Sequence, residues 1–120
     1  MKKLIRFILL VVFTLSMSSC YYDQIEEIEL PPGTVVEFAA DIQPIFVDNN
    51  CSTTNCHDGN RDPDLRPGNE YSSLVPAFVV ANDADNSRLY TFLAFNGHRN
   101  LSSIELRRIE EWINSGALNN

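Results

Sequence analysis

The stretch Cys51-Ser52-Thr53-Thr54-Asn55-Cys56-His57 decides how the rest of this sequence is interpreted. It places two thiols five positions apart and an imidazole directly after the second thiol. Covalent haem attachment needs this order, because two cysteine sulfurs can add to the two vinyl groups at one edge of a haem while the adjacent histidine binds the iron. The common attachment run is C-x-x-C-H. This stretch is a C-x4-C-H variant, with two additional residues in the loop.

The N-terminal residues 1–19 have the organisation of a secretory signal, with a basic start, the apolar run Phe7–Leu15 and small residues before Cys20. The apolar run is too short to remain as a membrane anchor. The small residues before Cys20 resemble a bacterial lipobox, which implies cleavage before Cys20 and lipidation of that residue. Tyr21 follows and offers no aspartate-type retention signal, which favours the outer membrane, on its periplasmic or outer face. Ordinary secretion with Cys20 as a free thiol is the alternative.

Removal of residues 1–19 would leave a strongly acidic chain. Three basic residues would be lost and all sixteen acidic residues kept, so the formal net charge would change from −7 to −10. Such a surface repels nucleic acid and anionic lipid and favours a protein partner with a basic docking surface. A purely solubilising role of the acidic residues is the alternative.

The exported part divides into an acidic tether, residues 20–33, and a domain, residues 34–120. The domain is small for a self-sufficient core. Apolar residues at helical spacing predict helices over residues 37–49, 70–75 and 87–95, where Pro44 either kinks the first helix or marks its start after a turn. No strand signal is strong, so the expected fold class is all-α, with three or four helices joined by long loops. Loops of this length need something packed beneath them, and a covalently attached haem would supply it.

The clearest predicted helix is the last one. Ser102 followed by Glu105 forms a capping box, and Gly116 ends the helix. The apolar face of this helix comprises Leu106, Ile109, Trp112 and Ile113.

These segments together resemble a small cytochrome c domain, and among such domains the lipoprotein cytochromes of Bacteroidetes-type bacteria. The resemblance covers nearly the whole exported domain. It rests on residues 41–46, 51–59, 70–75, 86–90 and 101–117. It implies a cytochrome c-like fold in which the first and last helices cross. The residues expected to meet there are Phe38, Ile42 and Phe46 with Ile109, Trp112 and Ile113.

The resemblance also implies a cofactor and its ligands, one covalent haem c per chain. Cys51 and Cys56 would form the thioethers and His57 would bind the iron. Related domains usually place a methionine before the last helix, but the only methionines here, Met1 and Met17, lie in the signal. His98 lies in the corresponding loop and is the predicted sixth ligand.

The implied function is that of a membrane-anchored carrier of single electrons rather than an enzyme. If His98 is instead only a solvent-exposed loop residue, the iron would have an open position, which favours ligand sensing or peroxidase-like activity.

Two other interpretations of the same residues remain open. A Cys51–Cys56 disulfide would make the chain a haem-free binding module, since exported thiols meet an oxidising compartment. Cys51, Cys56, His57 and His98 are also four candidate zinc ligands. Because Cys56 and His57 are adjacent, it is awkward for both to reach one tetrahedral ion.

Overall fold

Four short α-helices and one π-helical turn carry the fold in the computed structural model, which describes Met1, residues 28–96 and residues 98–120. The π-helical turn is Phe38–Ile42, and the α-helices are α1 (Gln43–Asp48), α2 (Glu70–Leu74), α3 (Arg88–Phe95) and α4 (Ser103–Asn114). The described residues contain no β-strand, only an isolated bridge between Val80 and Asp83. The prediction of an all-α domain with long loops is therefore confirmed.

Residues 2–27 lie outside the described residues; they contain all of the predicted signal except Met1, the predicted lipidation site Cys20 and the tether up to residue 27. Within the part of the chain that is described, no helix is both long enough and apolar enough to cross a bilayer.

The first predicted helix consists of two different helical parts. The π-helical turn Phe38–Ile42 leads directly into α1, and Pro44 lies in the first turn of α1. A proline is tolerated there because the N–H it lacks would have no partner within the helix. The interpretation in which a turn precedes the helix proper is thus correct, and the α-helix begins one residue before Pro44.

An aromatic cluster joins the two ends of the domain. The ring centre of Phe38 lies 5.2 Å from that of Trp112 and 5.2 Å from that of Tyr71. Both polar aromatic side chains donate to backbone carbonyls near the C-terminus, Tyr71 to Ala117 at 2.8 Å and Trp112 to Leu118 at 2.9 Å. The predicted contact between Phe38 and Trp112 is confirmed. The Tyr71 hydroxyl and the Trp112 indole N–H both have hydrogen-bond partners, as polar groups on packed aromatic side chains usually do.

The last helix, α4, has the predicted capping box. The Ser102 hydroxyl accepts from the backbone N–H of Glu105, and the Glu105 carboxylate accepts from the backbone N–H of Ser102 at 2.7 Å. The helix ends at Asn114, and Gly116 follows with φ +107°, a conformation that glycine adopts without strain. The buried face of α4 comprises Ile109, Trp112 and Ile113.

Candidate functional site

A cavity of about 380 Å³ lies between α1, α3 and the loops that follow each of them. This volume is in the range of small-molecule sites. All four residues predicted for the site line it: Cys51, Cys56, His57 and His98. The remaining wall is mostly apolar, and its charged residues are Arg61, Asp62, Arg88 and Arg99. The apolar residues are Ile45, Phe46, Pro63, Leu65, Phe78, Leu89, Phe92, Leu93 and Leu101.

The loop from Cys51 to His57 is held closed by backbone hydrogen bonds. Cys51 N–H donates to the Phe46 carbonyl at 2.8 Å, which attaches the loop to the end of α1, and His57 N–H donates to the Cys51 carbonyl at 3.0 Å. Asn50 and Asn55 have φ values of +55° and +70°. Asparagine tolerates this left-handed region better than most residues, so the sequence suits the tight turns just before each cysteine.

His57 is oriented by the loop that follows it. Its ring atom Nδ1 lies 3.0 Å from the Pro63 carbonyl oxygen. A carbonyl oxygen can only accept, so Nδ1 carries a proton, and in the neutral imidazole Nε2 then keeps its lone pair. The His57 carbonyl also accepts from Leu65 N–H at 2.9 Å. This arrangement matches that of a metal-binding histidine, whose second ring nitrogen is held by an outer hydrogen bond.

His98 lies in the loop between α3 and α4 and is exposed. Its ring centre is 6.0 Å from that of His57, with the ring planes at 73°. When two imidazole nitrogens bind a metal ion from opposite sides, at about 2 Å per bond, the ring centres lie about 6 Å apart. The Phe92 ring also packs against His98, with 5.1 Å between ring centres. The spacing of the two imidazoles therefore suits a shared metal.

The two cysteines are free thiols in different surroundings. Cys51 is 8% exposed, and burial raises the pKa of its thiol, although the charge of Arg99 acts in the opposite direction. Cys56 is less buried, and Arg99 Nη2 lies 3.7 Å from its sulfur. Cys56 is thus the more accessible nucleophile of the pair.

The zinc interpretation does not gain from this geometry. Within residues 28–96 and 98–120, no three side chains among His, Cys, Asp and Glu come together in a group that could hold a metal ion. The four zinc candidates line the same cavity without forming such a ligand set.

Several contributors to the site were not predicted from the sequence, and three of them contact the predicted residues or their loop. The Pro63 carbonyl orients His57, and Arg99 contacts Cys56. Asn49 Nδ2 donates both to the Ile45 carbonyl and to the Glu105 carboxylate, each at 2.9 Å, and so connects the cysteine loop to the start of α4. Of these three residues, only Arg99 could have been suspected from the sequence, because it is adjacent to the predicted ligand His98. The roles of Pro63 and Asn49 depend on loop conformations that no spacing in the sequence encodes.

Comparison of the chain with protein-family models, with curated proteins and with solved structures finds no match in any of the three.

Proposed function

We propose that this chain is a c-type cytochrome with a cytochrome c-like fold, which carries single electrons through one covalently attached haem. The observation that supports this function most is that Cys51, Cys56 and His57 line one apolar cavity, with His57 Nδ1 held by the Pro63 carbonyl. This hydrogen bond leaves His57 Nε2 available to a metal in a pocket that also contains both thiols.

The residues of the cavity fit a haem. Apolar side chains suit the faces of the ring, Cys51 and Cys56 would form the thioethers, and His57 would bind the iron from one side. His98 would bind from the other side, a role that its distance from His57 supports. When bound, the haem supplies a one-electron couple between ferric and ferrous iron. Two imidazole ligands favour the ferric state more than imidazole with thioether does, because a thioether ligand raises the potential.

The N-terminal residues and the net negative charge of the chain extend the proposal to its location and its partner. Residues 1–19 would direct export, and lipid on Cys20 would anchor the protein to the membrane, with the outer membrane favoured. The acidic surface would recruit a redox partner with a basic docking face.

Co-expression of the full chain with a haem-attachment machinery tests this function by intact mass and visible spectrum. We expect a mass increase of one haem and a coloured protein. Replacing both Cys51 and Cys56 by Ala should abolish covalent attachment. The control Cys20→Ala should lose the lipid mass and keep the haem, since it removes the predicted lipidation site and leaves Cys51 and Cys56 unchanged.

A colourless wild-type protein would contradict the proposal. A mass two hydrogens below that of the free dithiol would then support the disulfide-containing binding module instead.

A further inference from the structure

Positive charge is concentrated at the cavity in an otherwise acidic domain. Residues 28–120 contain thirteen Asp and Glu, six Arg and no Lys. Three of the six arginines, Arg61, Arg88 and Arg99, line the cavity, and Asp62 is the one carboxylate that joins them there. An apolar pocket with this lining is suited to a ligand that combines an apolar body with negative charge.

These three arginines are not used in ion pairs within the described residues. There, the ion pairs join Arg66 to Asp64 and Arg107 to Glu110 and Glu111. Residues 28–120 contain thirteen carboxylates against six arginines, so the composition does not limit ion pairing of the arginines. Arginines without such partners around one cavity are therefore available to a ligand, and a guanidinium is well shaped to bind a carboxylate through two hydrogen bonds.

The three arginines occupy different parts of the wall. Arg99 contacts the Cys56 sulfur at 3.7 Å and is the arginine whose charge acts on Cys51. Arg88 begins α3 and lies over the Phe78 ring, with its guanidinium carbon 5.4 Å from the ring centre. Arg61 belongs to the loop between His57 and Pro63 and is exposed, as is Arg88.

We propose that Arg61 and Arg88 bind the two carboxylate groups of the ligand, so that the cavity selects a flat apolar ring with two acid groups. This inference rests on the proposed function, since haem carries two propionates at one edge and its two vinyl groups elsewhere on the ring. The vinyl groups belong with the cysteines, which places Arg99 at that part of the ring and leaves Arg61 and Arg88 for the propionates. Charge-assisted hydrogen bonds of this kind are stronger than neutral ones.

Mesoporphyrin and its dimethyl ester test the inference directly. Mesoporphyrin has ethyl groups in place of vinyl groups, so it cannot form thioethers, and the ester differs from it only in lacking the two acid groups. Binding to the haem-free full chain, in detergent, is followed by quenching of Trp112 fluorescence. We expect the diacid to bind at least about tenfold more tightly than the diester.

Arginine variants assign this preference to particular residues. Arg61→Gln and Arg88→Gln should each reduce the ratio of the two affinities, and the double variant should abolish it. Arg88→Lys should retain part of the ratio because the charge remains. The matched control is Arg108→Gln, which removes the same charge from α4 away from the cavity and should leave the ratio unchanged. Arg61 and Arg88 are exposed, and circular dichroism checks that each variant is folded.

Equal affinity for diacid and diester, absence of binding, or a preference that survives in the double variant would each overturn the inference. Its failure is distinct from failure of the proposed function, because covalent haem is detected independently by intact mass. A chain that carries haem and shows no preference for the diacid keeps its function and loses this assignment of Arg61 and Arg88.

Discussion

A single hydrogen bond, from His57 Nδ1 to the Pro63 carbonyl, determines the chemistry that the imidazole can offer. It fixes the tautomer in which Nε2 can bind a metal, and it restrains the plane of the ring. His98 has no comparable hydrogen bond among the described residues and is positioned by packing on Phe92. The two histidines therefore differ in how firmly each is held.

Replacing His98 by Ala should change the iron of the haem-loaded protein from six-coordinate low-spin to high-spin, because a ligand is removed and His57 remains. The visible spectrum of the purified variant measures this change. Asn100→Ala, an exposed position in the same loop, is the control and should keep the low-spin spectrum. A low-spin spectrum in both variants would remove His98 from the iron.

The two cysteines should react at different rates in the haem-free protein. Burial raises the pKa of Cys51 and restricts access to its sulfur, whereas Cys56 is more exposed and contacts Arg99. Because the thiolate is the reactive form, iodoacetamide at pH 8 should modify Cys56 before Cys51, as measured by peptide mass spectrometry. In denaturant the two rates should converge. Faster modification of Cys51 in the folded protein would contradict the burial described here.

At the scale of elements, the start of α4 is a junction between the last helix and the cysteine loop. Glu105 accepts from Ser102 on one side and from Asn49 on the other. The residue just before the Asn50-Cys51 turn is thereby attached to the capping box of the helix that carries Trp112. One asparagine side chain thus links the cap of α4 to the segment that precedes Cys51.

Replacing Ser102 by Ala should lower the free energy of unfolding by about 1 kcal/mol, because the N-cap acceptor is lost. Urea unfolding followed by Trp112 fluorescence measures the effect. Ser103→Ala is the matched control, since Ser103 is an exposed residue of the first turn that does not cap. An equal loss of stability in both variants would show that the capping hydrogen bond contributes nothing specific.

The same cap should make stability depend on pH. Burial opposes the ionised form of Glu105, but hydrogen bonds from Ser102 and Asn49 outweigh it and lower the pKa of the carboxyl. A carboxyl whose pKa is lower in the folded state stabilises the fold above its unfolded pKa of about 4.3, and this stabilisation is lost as the pH falls through the folded-state pKa. Urea unfolding of Glu105→Gln should show a smaller loss of stability between pH 6 and pH 3 than wild type. Identical pH profiles would exclude this contribution.

The elements differ in how far the sequence determined them. The capping box of α4 was predictable because its hydrogen bonds are local and involve residues three apart. The π-helical turn before α1 was not predictable, since Phe38 and Ile42 have the same spacing in a kinked α-helix. The site residues Cys51, Cys56, His57 and His98 were identified by residue type and spacing. Their convergence on one cavity depends on long loops, whose paths are set by backbone hydrogen bonds rather than by periodicity.

For the molecule as a whole, charge is distributed unevenly. Acidic residues dominate residues 28–120, and three of the six arginines line one cavity. If Arg61 and Arg88 bind the two carboxylates of a haem, their charges are neutralised when the haem is attached. The acidic surface then determines how the loaded protein attracts a partner.

The rate of electron transfer from the reduced, haem-loaded protein should therefore change with ionic strength, and the charge of the oxidant should decide whether it rises or falls. With a cationic cobalt–phenanthroline complex, the second-order rate should fall as ionic strength rises, because attraction to the acidic surface is screened. With anionic ferricyanide it should rise. Stopped-flow measurement of both oxidants checks the prediction, and a rate that falls with salt for ferricyanide would indicate that the exposed edge is positive.

The way His57 is held has a consequence for the rate of the proposed electron transfer. The backbone N–H of His57 donates to Cys51, its carbonyl accepts from Leu65 and its ring is held by Pro63, so the residue is restrained at three points. A ligand restrained in this way moves little when the charge on a bound metal changes by one. If a haem iron is bound to His57 as proposed, this ligand would contribute little reorganisation energy, and an electron could then cross between two proteins with little rearrangement at the metal.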